Sequence, residues 1–137
     1  MLNLLLLAVA APANVAPCPG ATTIEVNACL NGRFEQSDAA LNRYYQAALK
    51  RIRSENGNKV AQQFVHAQRS WIAYRDSECA SVFDRYGGTI RLSVELVCRI
   101  RLTTLRTYAI WRDWLTYPDS TPPVLPRPDV ESVLKGR

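Results

Sequence analysis

The stretch that decides the fold reads Ala67-Gln68-Arg69-Ser70-Trp71-Ile72-Ala73-Tyr74-Arg75-Asp76-Ser77-Glu78-Cys79. From Gln68 to Cys79, residues spaced by three, four, seven and eleven positions share one side of a helix. An amide and a guanidinium, those of Gln68 and Arg75, therefore lie on or beside the face expected to pack inward. Because a buried polar group needs a hydrogen-bond partner, the stretch predicts an internal polar network.

The helix that carries this stretch is predicted to span about residues 59–86 and to end at Gly87-Gly88. Thr89 is expected to cap a following helix that continues to Tyr117 and stops before Pro118. The two glycines make these helices a long antiparallel hairpin. The positions expected in its core are Ala61, Phe64, Val65, Ile72, Cys79, Val82, Phe83, Tyr86, Val94, Val97, Cys98, Leu102, Leu105, Tyr108 and Ala109.

Four cysteines favour a disulfide-stapled protein in an oxidising compartment. They are Cys18, Cys29, Cys79 and Cys98, and no two have the close spacing of a zinc or redox motif. Four cysteines can form two disulfides in three different ways. The hairpin brings Cys79 and Cys98 to a similar height, so Cys79–Cys98 with Cys18–Cys29 is the favoured pairing.

The same register predicts contacts between the hairpin helices. Asp76 should lie near Arg101 as an ion pair, and Arg106 should lie over the Trp71 ring as a cation–π contact. The polar set has two interpretations, a structural network that fixes helix register and a surface for a partner, and the structural one is favoured. Its members are Gln68, Trp71, Arg75, Asp76 and Arg106.

Towards the N-terminus, two further helices are expected. A short one is capped by Thr22 or Thr23, runs through Cys29 and ends at Asn31-Gly32. A medium one starts at Ser37 or Asp38 and is broken by residues 55–58. The sequence therefore predicts an all-α bundle built around the long hairpin, with a short N-terminal helix.

The two ends of the chain differ from the predicted domain at 17–117. Residues 1–16 carry an apolar run from Leu2 to Ala11 followed by small residues, which predicts a signal peptide cleaved near 13–16. This leader places the mature protein in the periplasm or outside the cell. Residues 118–137 are rich in proline and predict a flexible tail that buries little.

Charge and residue content favour a binding protein over an enzyme. The net charge of +5 suits anionic polymers of the cell envelope or a membrane surface. Nucleic acid is not an expected partner, because the basic cluster at residues 50–53 complements a helix C-terminus. The single histidine, His66, has no nucleophile or carboxylate at a telling spacing. We therefore expect no catalytic site, no cofactor and no metal.

Several motifs together resemble one family. They are Gln68-Arg69-x-Trp71-x-x-x-Arg75-Asp76-x-x-Cys79, Gly87-Gly88-Thr89-Ile90, Cys98-x-x-x-Leu102-Thr103-x-x-Arg106 and Asp38-Ala39-x-Leu41-Asn42-x-x-Tyr45. This pattern is similar to the family named for the N-terminal domain of the LprI lysozyme inhibitor, over roughly residues 18–115. The resemblance implies a helical exported bacterial module that inhibits lysozyme by occlusion, with lysozyme or another envelope protein as partner.

Overall fold

A computed structural model describes residues 18–135, and these form an all-α fold, as predicted. Four α-helices follow one another: α1 (Thr23–Glu55), α2 (Asn58–Arg85), α3 (Arg91–Trp114) and the short α4 (Glu131–Leu134). A 3-10 helix, Gly88–Ile90, joins α2 to α3 and contains Thr89, which was expected to be an N-cap. The predicted signal peptide lies outside the described residues.

The chain direction reverses from each long helix to the next, so α1 and α3 run parallel to each other. Ser93 near the start of α3 donates a hydrogen bond of 2.6 Å to Asn27 near the start of α1. At the other end, Arg51 of α1 donates to the carbonyl of Trp114, the last residue of α3, at 2.9 Å. Helix α2 runs antiparallel to both. Helix α3 contacts α1 and α2 more extensively than those two contact each other.

The core lies towards the end of the bundle where α1 turns into α2. Aromatic contacts hold this region, since Phe64 stacks on Tyr45 at 5.2 Å between ring centroids and meets Trp114 at 5.4 Å. The buried residues of this cluster are Leu41, Tyr44, Ala48, Leu49, Ile52, Ala61, Phe64, Ile110 and Leu115.

Helix α1 is one continuous helix, so the predicted division into a short and a medium helix is wrong. Its predicted start is confirmed, because Thr22 accepts from the Glu25 amide and the Glu25 carboxylate accepts from the Thr22 amide. Gly32 lies in the helix interior at a cost of about 1 kcal/mol relative to alanine. Leu30 and Leu41 are both buried and lie three turns apart on one face. Their burial offsets the weak position between them.

Helix α3 buries a different face from the one the sequence indicated. Thr103 and Thr107 are buried, whereas Val97 is 50% exposed. A helix packed against two others needs compact side chains where the helix axes come closest. Threonine is compact, and its hydroxyl can form a hydrogen bond with a carbonyl of its own helix. Thr107 does so by donating to the carbonyl of Thr103 at 2.9 Å. Ile72 of α2 and Tyr86, which directly follows α2, were also expected in the core but are exposed.

The proline-rich segment is anchored to α1 and α3 by contacts that the sequence did not predict, although most of its described residues are exposed. The Tyr44 hydroxyl donates to the carbonyl of Pro126 at 2.6 Å, and the Trp111 indole donates to the carbonyl of Leu125 at 2.9 Å. Val130 is buried. Proline lacks an N–H but keeps its carbonyl, so this segment docks by accepting hydrogen bonds. Within residues 18–135, no helix has the length and apolarity to cross a membrane.

Candidate functional site

Two disulfides brace the same end of the bundle. Cys79 is bonded to Cys98 and Cys18 to Cys29, which is the pairing that the sequence favoured. The first joins α2 to α3 below the turn between them, and Cys79 is fully buried. The second ties residues before α1 to its second turn. Each cross-link restricts the conformations of the unfolded chain, which raises the free energy of unfolding by on the order of 2–4 kcal/mol.

Arg75 is the centre of a polar network that joins all three long helices. Its Nη1 donates to Asp38 of α1 at 2.8 Å and to the Thr103 hydroxyl of α3 at 3.2 Å. Its Nε donates to the neighbouring Asp76 at 3.0 Å. The guanidinium carbon lies 5.4 Å from the centroid of the Trp71 ring. The buried charge is therefore both paired and hydrogen-bonded, which such a position requires.

A second polar contact joins α2 to α3 about two helical turns from Arg75, on the side away from the hairpin between these helices. Arg106 donates from Nε to Oε1 of the buried Gln68 at 3.0 Å. Its guanidinium lies 5.8 Å from the Trp71 ring centroid, so the predicted cation–π contact is present. Burial lowers the pKa of Arg106, while the charge of Asp113 acts in the opposite direction. An arginine so placed keeps its charge at neutral pH.

The predicted ion pair between Asp76 and Arg101 is wrong. Asp76 pairs with Arg99 instead, at 2.8 Å, and Arg99 also pairs with Glu95 at 3.0 Å. Matching heights along two helices ignores the direction in which a side chain leaves its helix. Arg99 points towards α1, where its guanidinium lies 5.8 Å from the centroid of the Phe34 ring.

The motif residues are thus engaged within the protein. Gln68 and Arg75 are each 6% exposed, and their polar atoms bond to neighbouring helices. Asp76 keeps an accessible carboxylate beside them. The arrangement matches a network that fixes helix register, whereas a role for these residues in partner binding stays a prediction.

The turn between α2 and α3 exposes apolar side chains that the sequence did not predict to be exposed. We call residues 85–92 the hairpin tip. Tyr86 is 41% exposed, Ile90 53% and Leu92 42%. Tyr86 continues the heptad-like spacing of α2, so the pattern assigned it to the core. A residue one position beyond the end of a helix no longer follows that helix's inward face.

Charged residues shape the hairpin tip. The Arg91 guanidinium lies 3.9 Å from the Phe83 ring centroid and 3.4 Å from a carboxylate oxygen of Asp84. The Arg85 guanidinium lies 5.7 Å from the Tyr86 ring centroid. Gly88 has a φ of +69°, a backbone conformation that residues with a side chain rarely adopt. The tip therefore presents apolar and cationic groups on a turn with a defined backbone.

Ile24 adds a further exposed apolar side chain at the same end of the bundle, with 82% of its surface accessible. It lies one turn before Asn27, which contacts Ser93 at the start of α3. By contrast, residues 18–135 bring no three His, Cys, Asp or Glu side chains together as metal ligands.

Fold and surface together define a small disulfide-stapled helical module that presents a turn with exposed apolar side chains at one end. The chain matches the sequence model of the lysozyme inhibitor LprI family over residues 16–110, and it belongs to that family. An uncharacterised protein of Rhizobium meliloti (strain 1021) is 32% identical over 118 residues, covering 75% of this chain and 85% of that protein. No solved structure matches the chain.

Proposed function

We propose that this protein is an exported inhibitor of a lysozyme-type muramidase, and that the hairpin tip occludes the enzyme's substrate cleft. Membership of the lysozyme inhibitor LprI family supports the activity. The observation that carries the choice of surface is the exposure of Tyr86, Ile90 and Leu92 on one turn. The proposal gives the chain a binding role rather than a catalytic one.

The construction of the tip suits insertion into a cleft. The Cys79–Cys98 disulfide joins the two helices that the turn connects, and Cys18–Cys29 lies at the same end of the bundle. A loop that is already held in its bound shape loses little conformational entropy on binding. Exposed tyrosine and arginine side chains are those that most often dominate binding energy at an interface.

Local charge favours this surface even though the protein as a whole is basic. Animal lysozymes are also basic, so the net charge of +5 slows their encounter. The catalytic cleft of a lysozyme, however, holds a pair of carboxyl groups. Arg85, an exposed cation of the hairpin tip, can approach such carboxylates while the apolar residues around it exclude water.

The activity is tested by lysozyme turnover on a soluble chitooligosaccharide in the presence of the oxidised protein. This neutral substrate excludes an apparent inhibition caused by binding of the cell wall. We expect inhibition at micromolar protein concentrations, with the substrate competing. Unchanged turnover at those concentrations would contradict the proposed activity.

Export to the periplasm or beyond is part of the same proposal. The predicted leader and the two disulfides support it, because disulfides persist in oxidising compartments. Fractionation of expressing cells, with thiol alkylation before lysis, tests it. We expect a processed protein without free thiols in the periplasmic or extracellular fraction, and a reduced cytoplasmic protein would count against export.

A further inference from the structure

The seam between α1 and α2 carries two adjoining clefts, one at the end of the bundle away from the hairpin tip and one that reaches the middle of both helices. The larger has a volume of about 530 Å³ and the smaller about 280 Å³. Val65 and Arg69 line both, so the clefts form one continuous groove. We call it the α1–α2 groove. It exists because α1 and α2 pack on α3 more closely than on each other.

The larger cleft is cationic and has no internal counter-ion. Arg53, His66 and Arg69 line it, and no carboxylate does. Among the described residues, neither Arg53 nor Arg69 forms an ion pair, whereas Arg51, two positions from Arg53, is bonded to Glu55 at 2.9 Å. Unpaired cations in a concave surface concentrate positive potential, which attracts an anion.

Neutral polar groups accompany these cations along the groove. Asn58 and Gln62 line the larger cleft, and Asn42 and Gln68 line the smaller one. Side-chain amides both donate and accept hydrogen bonds, so they can pair with hydroxyl groups. The half-buried Tyr45 and the exposed Ile72 supply apolar wall to the smaller cleft.

The length of the groove suits an extended ligand. Its lining on α1 runs from Asp38 to Arg53, which spans about 22 Å at the helical rise of about 1.5 Å per residue. Asp38, at the far end, is neutralised by its pairing with Arg75. The charge along the groove therefore changes from positive at Arg53 and Arg69 to balanced at Asp38.

We propose that the α1–α2 groove binds a linear polysaccharide that carries carboxylate groups. Cations at Arg53 and Arg69 pair with the carboxylates, and the amides hydrogen-bond the sugar hydroxyls. A membrane surface fits the groove less well, because Ile72 is the one exposed large apolar residue in its lining, whereas Ile24, Tyr86 and Ile90 lie at the opposite end of the bundle. A protein held to a polymer by this groove would keep the hairpin tip free.

Calorimetric titration with a hexamer of galacturonic acid tests the site, with a neutral N-acetylglucosamine hexamer as the matched ligand. We expect the acidic hexamer to bind more tightly than the neutral one and to weaken as salt rises. The variant Arg53→Gln/Arg69→Gln should weaken its binding at least tenfold. The variant Arg43→Gln/Arg101→Gln removes the same net charge outside the groove and should change binding less than twofold.

Several results would overturn the proposal. They are an absence of binding at millimolar hexamer, equal binding of the neutral hexamer, and an equal loss in both double variants. Binding of anionic phospholipid vesicles that depends on Arg53 and Arg69, without binding of the hexamer, would assign the groove to lipid headgroups instead. Helical circular dichroism and the melting temperature show whether each variant is folded. The hairpin tip includes neither Arg53 nor Arg69, so this test and that of the inhibitor can fail separately.

Discussion

Arg75 of α2 and Asp38 of α1 are joined by a bond of 2.8 Å between Nη1 and Oδ1, although 37 positions separate them in the chain. The same Nη1 reaches the Thr103 hydroxyl of α3. One buried guanidinium therefore holds the relative positions of three helices, and through them the position of the hairpin tip. This contact explains why a charged residue lies on an inward-facing stripe.

Replacement of Arg75 by glutamine should lower the free energy of unfolding by on the order of 2–3 kcal/mol. The change removes three hydrogen bonds and leaves Thr103 without its partner, while Asp38 and Asp76 stay accessible enough to be hydrated. Urea unfolding followed by circular dichroism measures the change.

Arg85→Gln is the matched control, because Arg85 is exposed on the last turn of α2. It should alter stability by less than about 0.5 kcal/mol. Arg75→Lys keeps the charge but not the planar fork and should fall between the two. Equal urea midpoints for Arg75→Gln and Arg85→Gln would show that the network contributes nothing to stability.

Replacement of two glycines by alanine should change the free energy of unfolding in opposite directions. Gly32 lies within α1, and a Cβ there meets nothing within 4 Å, so Gly32→Ala should stabilise the protein by about 0.5–1 kcal/mol. Gly57 has φ of +84° and ψ of 175° between α1 and α2, a region almost confined to glycine. Gly57→Ala should destabilise by about 1–3 kcal/mol.

Melting temperatures of both variants provide the test of the continuous helix. If Gly32 instead marked a break between two helices, alanine there would be neutral or destabilising. A gain in stability at Gly57 would likewise contradict the observed turn.

Much of the fold follows from local signals in the sequence. The bounds of α2 were predicted to within one residue at each end, because residues 55–58 and Gly87-Gly88 are strong breakers. The all-α class follows from the apolar spacing. The continuity of α1 could not be predicted, because Asn31-Gly32 is a local stop signal that the burial of Leu30 and Leu41 overrides.

The site was less predictable than the fold. The sequence identified Gln68 and Arg75 as unusual inward-facing residues, but it could not show that Asp38, far away in the chain, would pair with Arg75. The exposure of Tyr86 and Ile90 depends on where α2 ends in space, which periodicity does not reveal. The docking of the tail depends on backbone carbonyls, which composition does not distinguish.

The tail should loosen when its hydrogen bond to Tyr44 is removed. Tyr44→Phe deletes the hydroxyl that donates to the Pro126 carbonyl and should cost about 1 kcal/mol. Hydrogen exchange of the amides in residues 124–134 should speed up while that of α2 does not. Tyr74→Phe, at an exposed position, is the control and should change neither. Equal exchange in the wild type and Tyr44→Phe would contradict the docking contact.

Alkaline pH should release the same segment. Burial raises the pKa of Tyr44 above its ordinary value of 10.0, although the charge of Arg43 acts against this. A raised pKa in the folded state means that the contribution of Tyr44 is complete below pH 10.0 and is lost as the pH rises through the folded value. In the wild type, hydrogen exchange of residues 124–134, corrected for intrinsic rates, should speed up as the pH rises through the folded pKa of Tyr44. Cleavage of this segment by an alkaline protease should increase over the same pH range. Tyr44→Phe lacks the titrating group, and an identical pH profile in that variant would refute the assignment.

The most direct test of the central claim is a calorimetric titration of lysozyme into the oxidised protein, without any polysaccharide present. The wild type should bind with a dissociation constant in the micromolar range or below. Tyr86→Ser/Ile90→Ser should bind at least tenfold more weakly while keeping its helical circular dichroism. Arg53→Gln/Arg69→Gln should bind as the wild type does. An absence of heat with the wild type, or equal affinity in the Tyr86→Ser/Ile90→Ser variant, would contradict inhibition of lysozyme through the hairpin tip.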